Sequence, residues 1–90
     1  MTSTSEDRTA QLQQAQKLLQ SGNFAGGLTS ANAILAIEPD DVEALYVAAV
    51  GARFLKEFDK AHSYLARLHA ASPEFGRAWQ EAGHLARDEA

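Results

Sequence analysis

Residues 39–73 read PDDVEALYVAAVGARFLKEFDKAHSYLARLHAASP, and this stretch decides the fold. Two prolines bound it, Pro39 and Pro73, thirty-four residues apart. Between them, Asp40-Asp41-Val42-Glu43 reads as a capping box that starts a helix running to about Leu55. Lys56-Glu57 makes a tight link, and a second helix follows from Phe58 to Ala71. Ser72-Pro73-Glu74 then predicts another start: a serine cap, proline at the first helical position and an acid near the positive end of the dipole.

Moving outward, the chain matches itself at the same offset. Phe24 falls on Phe58, Gly27 on Ala61, Ile34 on Leu68 and Leu45 on Trp79. Ala15 falls on Ala49 and then Gly83, and Leu18 on Ala52 and then Ala86. Small residues recur where helices must approach closely, and large ones where space must be filled. Helix one is expected over roughly Glu6 to Ser21, with Leu12, Ala15, Leu18 and Leu19 on one stripe. Gly22 supplies a left-handed stop, Asn23 caps the next helix, and that helix covers about Phe24 to Ile37. Gly26 and Gly27, each costing up to ~1 kcal/mol relative to alanine, predict that helix to be the least rigid. Helix five is expected from Phe75 towards Asp88.

The composition agrees with an all-α chain. Of 90 residues, 46% are apolar, and Ala and Leu rather than β-branched or aromatic types supply most of them. A net charge of −4, with eight basic residues against twelve acidic, is not the profile of a nucleic-acid binder. There is no cysteine, so disulfides and thiolate metal sites are excluded. The first seven residues lack the basic and apolar parts of a secretory signal, and no apolar run reaches the ~20 residues of a membrane span. The expectation is a cytoplasmic protein.

The pattern resembles the tetratricopeptide repeat family, whose 34-residue unit reads W-x2-L-G-x2-Y, then A-x3-F, then P. Trp79-x2-Ala82-Gly83-x2-Ala86 follows its first part. Leu45-x2-Ala48-Ala49-x2-Ala52 follows it more loosely and continues through Ala61-x3-Leu65 to Pro73. In the first repeat Gln11 and Gln14 replace large apolar residues, while Ala15, Leu18, Gly27-x3-Ala31 and Pro39 hold. The resemblance implies an all-α solenoid of antiparallel helix pairs, TPR-like, with about five helices. Residues 1–7 are expected to be a disordered segment, 8–41 and 42–75 two repeats, and 76–90 the first helix of a third repeat or a cap. Trp79, Ala82 and Ala86 should then pack back on helices three and four. Arg77, Gln80, Glu81, His84, Arg87 and Asp88 should form a solvated outer side, and Gln11 and Gln14 a polar N-terminal end.

The resemblance also implies a concave groove lined by helices one, three and five that holds a peptide or a partner helix. Its candidate residues are Gln16, Glu43, Tyr46, Val50, Arg53, Phe54, Arg77, Gln80, His84 and Arg87. Tyr46, Val50 and Phe54 are apolar groups that packing does not obviously need, and Arg53, Arg77, His84 and Arg87 offer positive charge. An apolar-plus-acidic protein segment is the expected partner. Two plainer readings stand beside it: the arginines as solvated or acid-paired surface groups, and Phe54 as a staple on its turn. The carboxylate clamp of chaperone-tail binders does not map here, since its places hold Leu12, Gln16, Val47, Arg77 and Glu81.

No catalytic constellation emerges. His62 and His69 lie two turns apart on one helix, about 10 Å, too far to share a metal. Glu81-x-x-His84 is a single motif where a di-iron site needs two with two further glutamates. Gly26-Gly27 lacks the lysine of a phosphate loop. The expectation is a non-enzymatic scaffold or adaptor with no cofactor, no metal, no nucleic acid and no membrane. One alternative is an N-terminal interaction module of a larger bacterial enzyme, as in repeat-linked sulfotransferases, on the weak likeness of residues 73–78. Another is self-assembly into a homo-oligomer.

Overall fold

The structure, a computed structural model, describes the backbone from Thr4 to Ala90 and the side chains from Asp7 onward. The described residues form five helices and no strand: α1 (Thr4–Gln20), α2 (Phe24–Leu35), α3 (Val42–Phe54), α4 (Phe58–Ala71) and α5 (Gly76–Glu89). Each helix packs on the next, and α1 and α5 both also touch α3. The principal extents are 48 × 28 × 18 Å. An 18 Å thickness fits two helix layers, because packed helix axes lie about 8–10 Å apart.

One turn geometry recurs in the backbone at the 34-residue offset. Gly22 takes a left-handed φ of 87°, with Asn23 N donating to Leu18 O at 2.8 Å and Gly22 N to Leu19 O at 3.1 Å. Thirty-four residues on, Lys56 takes a φ of 62°, with Glu57 N on Ala52 O and Lys56 N on Arg53 O, both 2.9 Å. Both are Schellman turns, which favour glycine at that position. Lys56 carries a Cβ where Gly22 does not, at a cost of about 1–2 kcal/mol. Glycine loses roughly 0.5–1 kcal/mol of that gain to chain entropy. Lys56→Gly is therefore expected to stabilise the protein by about 0.5–1 kcal/mol and raise Tm by ~2–8 °C in a calorimetric melt.

The helix boundaries differ from expectation in four places. Helix α1 begins at Thr4, two residues before the expected Glu6, while residues 1–3 lie outside the described part. Helix α2 stops at Leu35, where Glu38 N turns back onto Ile34 O at 2.8 Å, two residues short of Ile37. The cap of α3 is Asp41, not Asp40: its Oδ1 accepts from Ala44 N at 3.1 Å. The third helical residue is thus Ala44, so Glu43 cannot close a capping box and instead reaches Arg77. Finally, Ser72 ends α4 rather than starting α5. Helix α5 begins at Gly76 after Phe75, without a side-chain cap, because a phenyl ring has no acceptor to offer; the ring packs against Tyr46 at 5.8 Å.

The core is small-residue packing around α3. Ala44, Leu45, Ala48, Ala49 and Ala52 are fully enclosed, together with Ala15, Ala31, Ala61, Leu68 and Ala78. Gly27 marks the closest crossing of α1 and α2: a Cβ there would meet Leu19 Cδ2 at 2.8 Å and Ala15 O at 3.2 Å. Thirty-four residues on, the corresponding position is the fully buried Ala61.

Candidate functional site

Helix α3 lies between α1 and α5, and the candidate groove residues divide into three groups around it. Gln16, Tyr46 and Val50 are half-buried, a partial exposure that leaves apolar surface open on α3. Glu43 and Arg77 come together across α3 and α5, with Arg77 Nη2 donating to Glu43 Oε1 at 2.7 Å. The same guanidinium lies 4.9 Å from the Tyr46 ring centre and 4.6 Å from that of Phe75. Arg77 is thus a flat lid over two aromatic rings, with one edge neutralised and one side in water. Gln80, His84 and Arg87 are exposed on α5 and do not join this cluster.

Arg53 is where expectation fails. It was a candidate groove cation, but only 8% of it is exposed. Its Nε donates to Glu81 Oε2 at 2.5 Å, Nη2 to Glu81 Oε1 at 3.3 Å, and Nη1 to Asp88 Oδ2 at 2.7 Å. Glu81, expected on a solvated side, is 2% exposed. The reason is a rotation of α5. Its buried stripe is Ala78, Glu81 and Leu85, one residue earlier than the expected Trp79, Ala82 and Ala86. Trp79 and Ala86 are exposed and Ala82 half-buried. Trp79 lies over His69 of α4 with ring centres 4.2 Å apart, its Nε1 donating to Pro73 O at 3.2 Å. Phe54 points to the turn end of the molecule, stacked on Phe24 at 4.4 Å with 6° between the planes and capped by Arg53 at 4.4 Å. Its ring joins the end of α3 to the start of α2.

Ion pairs and hydrogen bonds tie the helices to one another. Arg8 of α1 grips Asp41 at the start of α3 through Nε at 2.5 Å and Nη2 at 2.9 Å. Tyr64 of α4 donates to Asn32 of α2 at 3.1 Å, and Arg67 donates to Pro39 O at 2.8 Å. His62 of α4 meets Glu89 of α5. The hydrogen bonds from Arg8 hold the Asp41 carboxyl below its ordinary range, against the opposing effect of burial. The hydrogen bond from Arg53 does the same for Asp88. A carboxyl whose folded pKa is depressed stabilises the fold above its unfolded value, and that stability disappears as pH falls through the folded one. Thermal midpoints are therefore expected to fall as pH drops below ~4, near the unfolded aspartate value. Asp41→Asn should flatten that acid limb when melts are compared between pH 3 and 6.

Sequence reading missed Arg8, Phe24 and Phe75 as partners of the site. It also missed a cavity of about 350 Å³ between α1 and the end of α2, lined by Asp7, Arg8, Ala10, Gln11, Ile34, Ile37 and Glu38. Only the 68% exposure of Ile37 at its rim, next to Pro39, bears on a signal, and that side chain reads as helical in sequence.

The chain matches no family model, no curated protein and no solved structure. Among the described residues, no cluster of His, Cys, Asp or Glu is arranged to hold a metal ion. No described helix is long and apolar enough to cross a membrane.

Proposed function

We propose that this chain is a non-catalytic, TPR-like helical scaffold that binds a protein segment across the face formed by α1, α3 and α5. The observation that carries this reading is the cluster of Tyr46, Phe75 and Arg77, with Val50 one turn on from Tyr46, which stays partly open to water. Tyrosine and arginine in such a setting are favoured binding anchors. The recurrence of Schellman turns and small core residues at a 34-residue offset supports the repeat architecture behind it.

The expected ligand is chiefly apolar. Arg53 is buried against two carboxylates and Arg77 already faces Glu43, so an acidic group on the ligand has His84 to meet. Panning a displayed peptide library against the protein tests the reading. Selected peptides should lose at least tenfold in affinity for Tyr46→Ala and for Val50→Asp while circular dichroism melts stay cooperative. Equal binding to both variants would falsify the assignment of this face.

A further inference from the structure

The 34-residue offset makes α3 a template for α5, and the two are not equally covered. On α3, Gly51 faces α2, within 3.3 Å of Phe24 O and 3.5 Å of Leu28 Cβ for an added Cβ. Leu45, Ala49 and Ala52 lie about 100° further round, on the side that α4 covers, and are fully buried. Helix α5 docks through Ala78, Glu81 and Leu85, the offset equivalents of Ala44, Val47 and Gly51. Its other side is Trp79, Gly83 and Ala86, equivalent to Leu45, Ala49 and Ala52, and this side is open. Trp79 is 60% exposed, and an added Cβ on Gly83 would meet nothing within 4 Å.

The charge pattern is incomplete at the same place. Arg87 is the offset equivalent of Arg53. Arg53 has two carboxylates, while Arg87 is 69% exposed and lies 3.7 Å from the neighbouring Asp88, itself held by Arg53. The start of α4, at Phe58, lines the same cavity as Arg53. A helix lying on α5 as α4 lies on α3 would therefore bring its first turn to Arg87, and an acid there would pair with it as the acids of α5 pair with Arg53.

We propose that the outward side of α5 docks an amphipathic helix of another protein. Its apolar stripe repeats that of α4, a small residue followed four and seven positions later by leucines, as in Ala61, Leu65 and Leu68. Its first turn is acidic and faces Arg87. A second copy of this chain is a poor occupant, because the stripe that fits is already buried on its own α4. This surface is distinct from the Tyr46 platform, and its occupation does not depend on that reading.

The sole tryptophan of the sequence is Trp79, so its emission reports on this face alone. The probe is a synthetic peptide with the sequence of residues 57–71, titrated into the intact chain. A second form carries the same sequence tethered after Ala90 by a flexible linker. The tether raises the effective concentration to about millimolar, so that the cost of ordering a short helix does not hide docking. Trp79 emission should shift to the blue in both, and the tethered chain should melt several degrees higher. Gly83→Leu, which has room to fold, should weaken the free peptide at least tenfold. Arg87→Glu should weaken it several-fold and be rescued by a peptide carrying Asp59→Lys. Unchanged emission and melting in the tethered chain overturns the proposal. So does a shift that survives Gly83→Leu, or one that appears with protein concentration alone.

Discussion

Arg53→Ala is expected to be the most damaging single change on the polar side of this protein, losing about 3–5 kcal/mol. The figure follows from what is left behind: Glu81, 2% exposed, becomes a buried carboxylate with no cation. Domains of this size are stable by only ~5–15 kcal/mol, so the variant should lose a large part of its cooperative melt. Because Arg53 joins α3 to α5, amides of α5 should lose hydrogen-exchange protection before those of α1 and α2. The companion experiment separates geometry from charge. Arg53→Met with Glu81→Leu removes both buried charges and keeps the volume, and such replacements are often neutral or stabilising. A double variant as unstable as Arg53→Ala would mean that the triad holds α5 through its hydrogen-bond geometry.

The second large effect is a contrast between two residues at the same place in the repeat. Leu45→Ala should cost about 3–5 kcal/mol, since Leu45 is fully enclosed among alanines that cannot collapse far into the space. Trp79→Ala, thirty-four residues on, removes a larger side chain yet should cost under ~1.5 kcal/mol. It loses the contact with His69 and a hydrogen bond to Pro73 O at the surface. Denaturant midpoints of the two variants at equal m-values check the order. If the two cost the same, α5 carries its tryptophan inward in solution.

That contrast also shows what could be read from residues alone. The five helices were legible because their stops are local: Gly22 and Asn23, Pro39, and the tight link at Lys56. The choice between Asp40 and Asp41 was not, since both precede the same helix and only Arg8, thirty-three residues away, favours one of them. The rotation of α5 escaped for a similar reason. Helix α3 is covered on two sides, so its pattern is apolar at both Ala44 and Leu45 and does not say which stripe a neighbour with one covered side will bury. Placing Glu81 on the wet side then followed from its charge. A carboxylate hides only with a cation, and the partner stands twenty-eight residues away with no periodic trace. Of the candidate groove, Tyr46, Glu43 and Arg77 come together, Arg53 is withdrawn into the interior, and Phe54 stacks on Phe24 at the start of α2.

Asp41 has a consequence for how the chain reaches this state. One oxygen of its carboxylate receives both the Ala44 amide and an Arg8 nitrogen, while the other receives Arg8 Nε. Starting a helix is its least favourable step, and here the group that eases it is held in place by α1. Nucleation of the central helix and closure of a long loop are thereby made into one kinetic event. An array of stacked pairs tends to unzip a unit at a time. In this chain the Arg8–Asp41 contact is a latch that makes α1 and the central helix form, and fail, together.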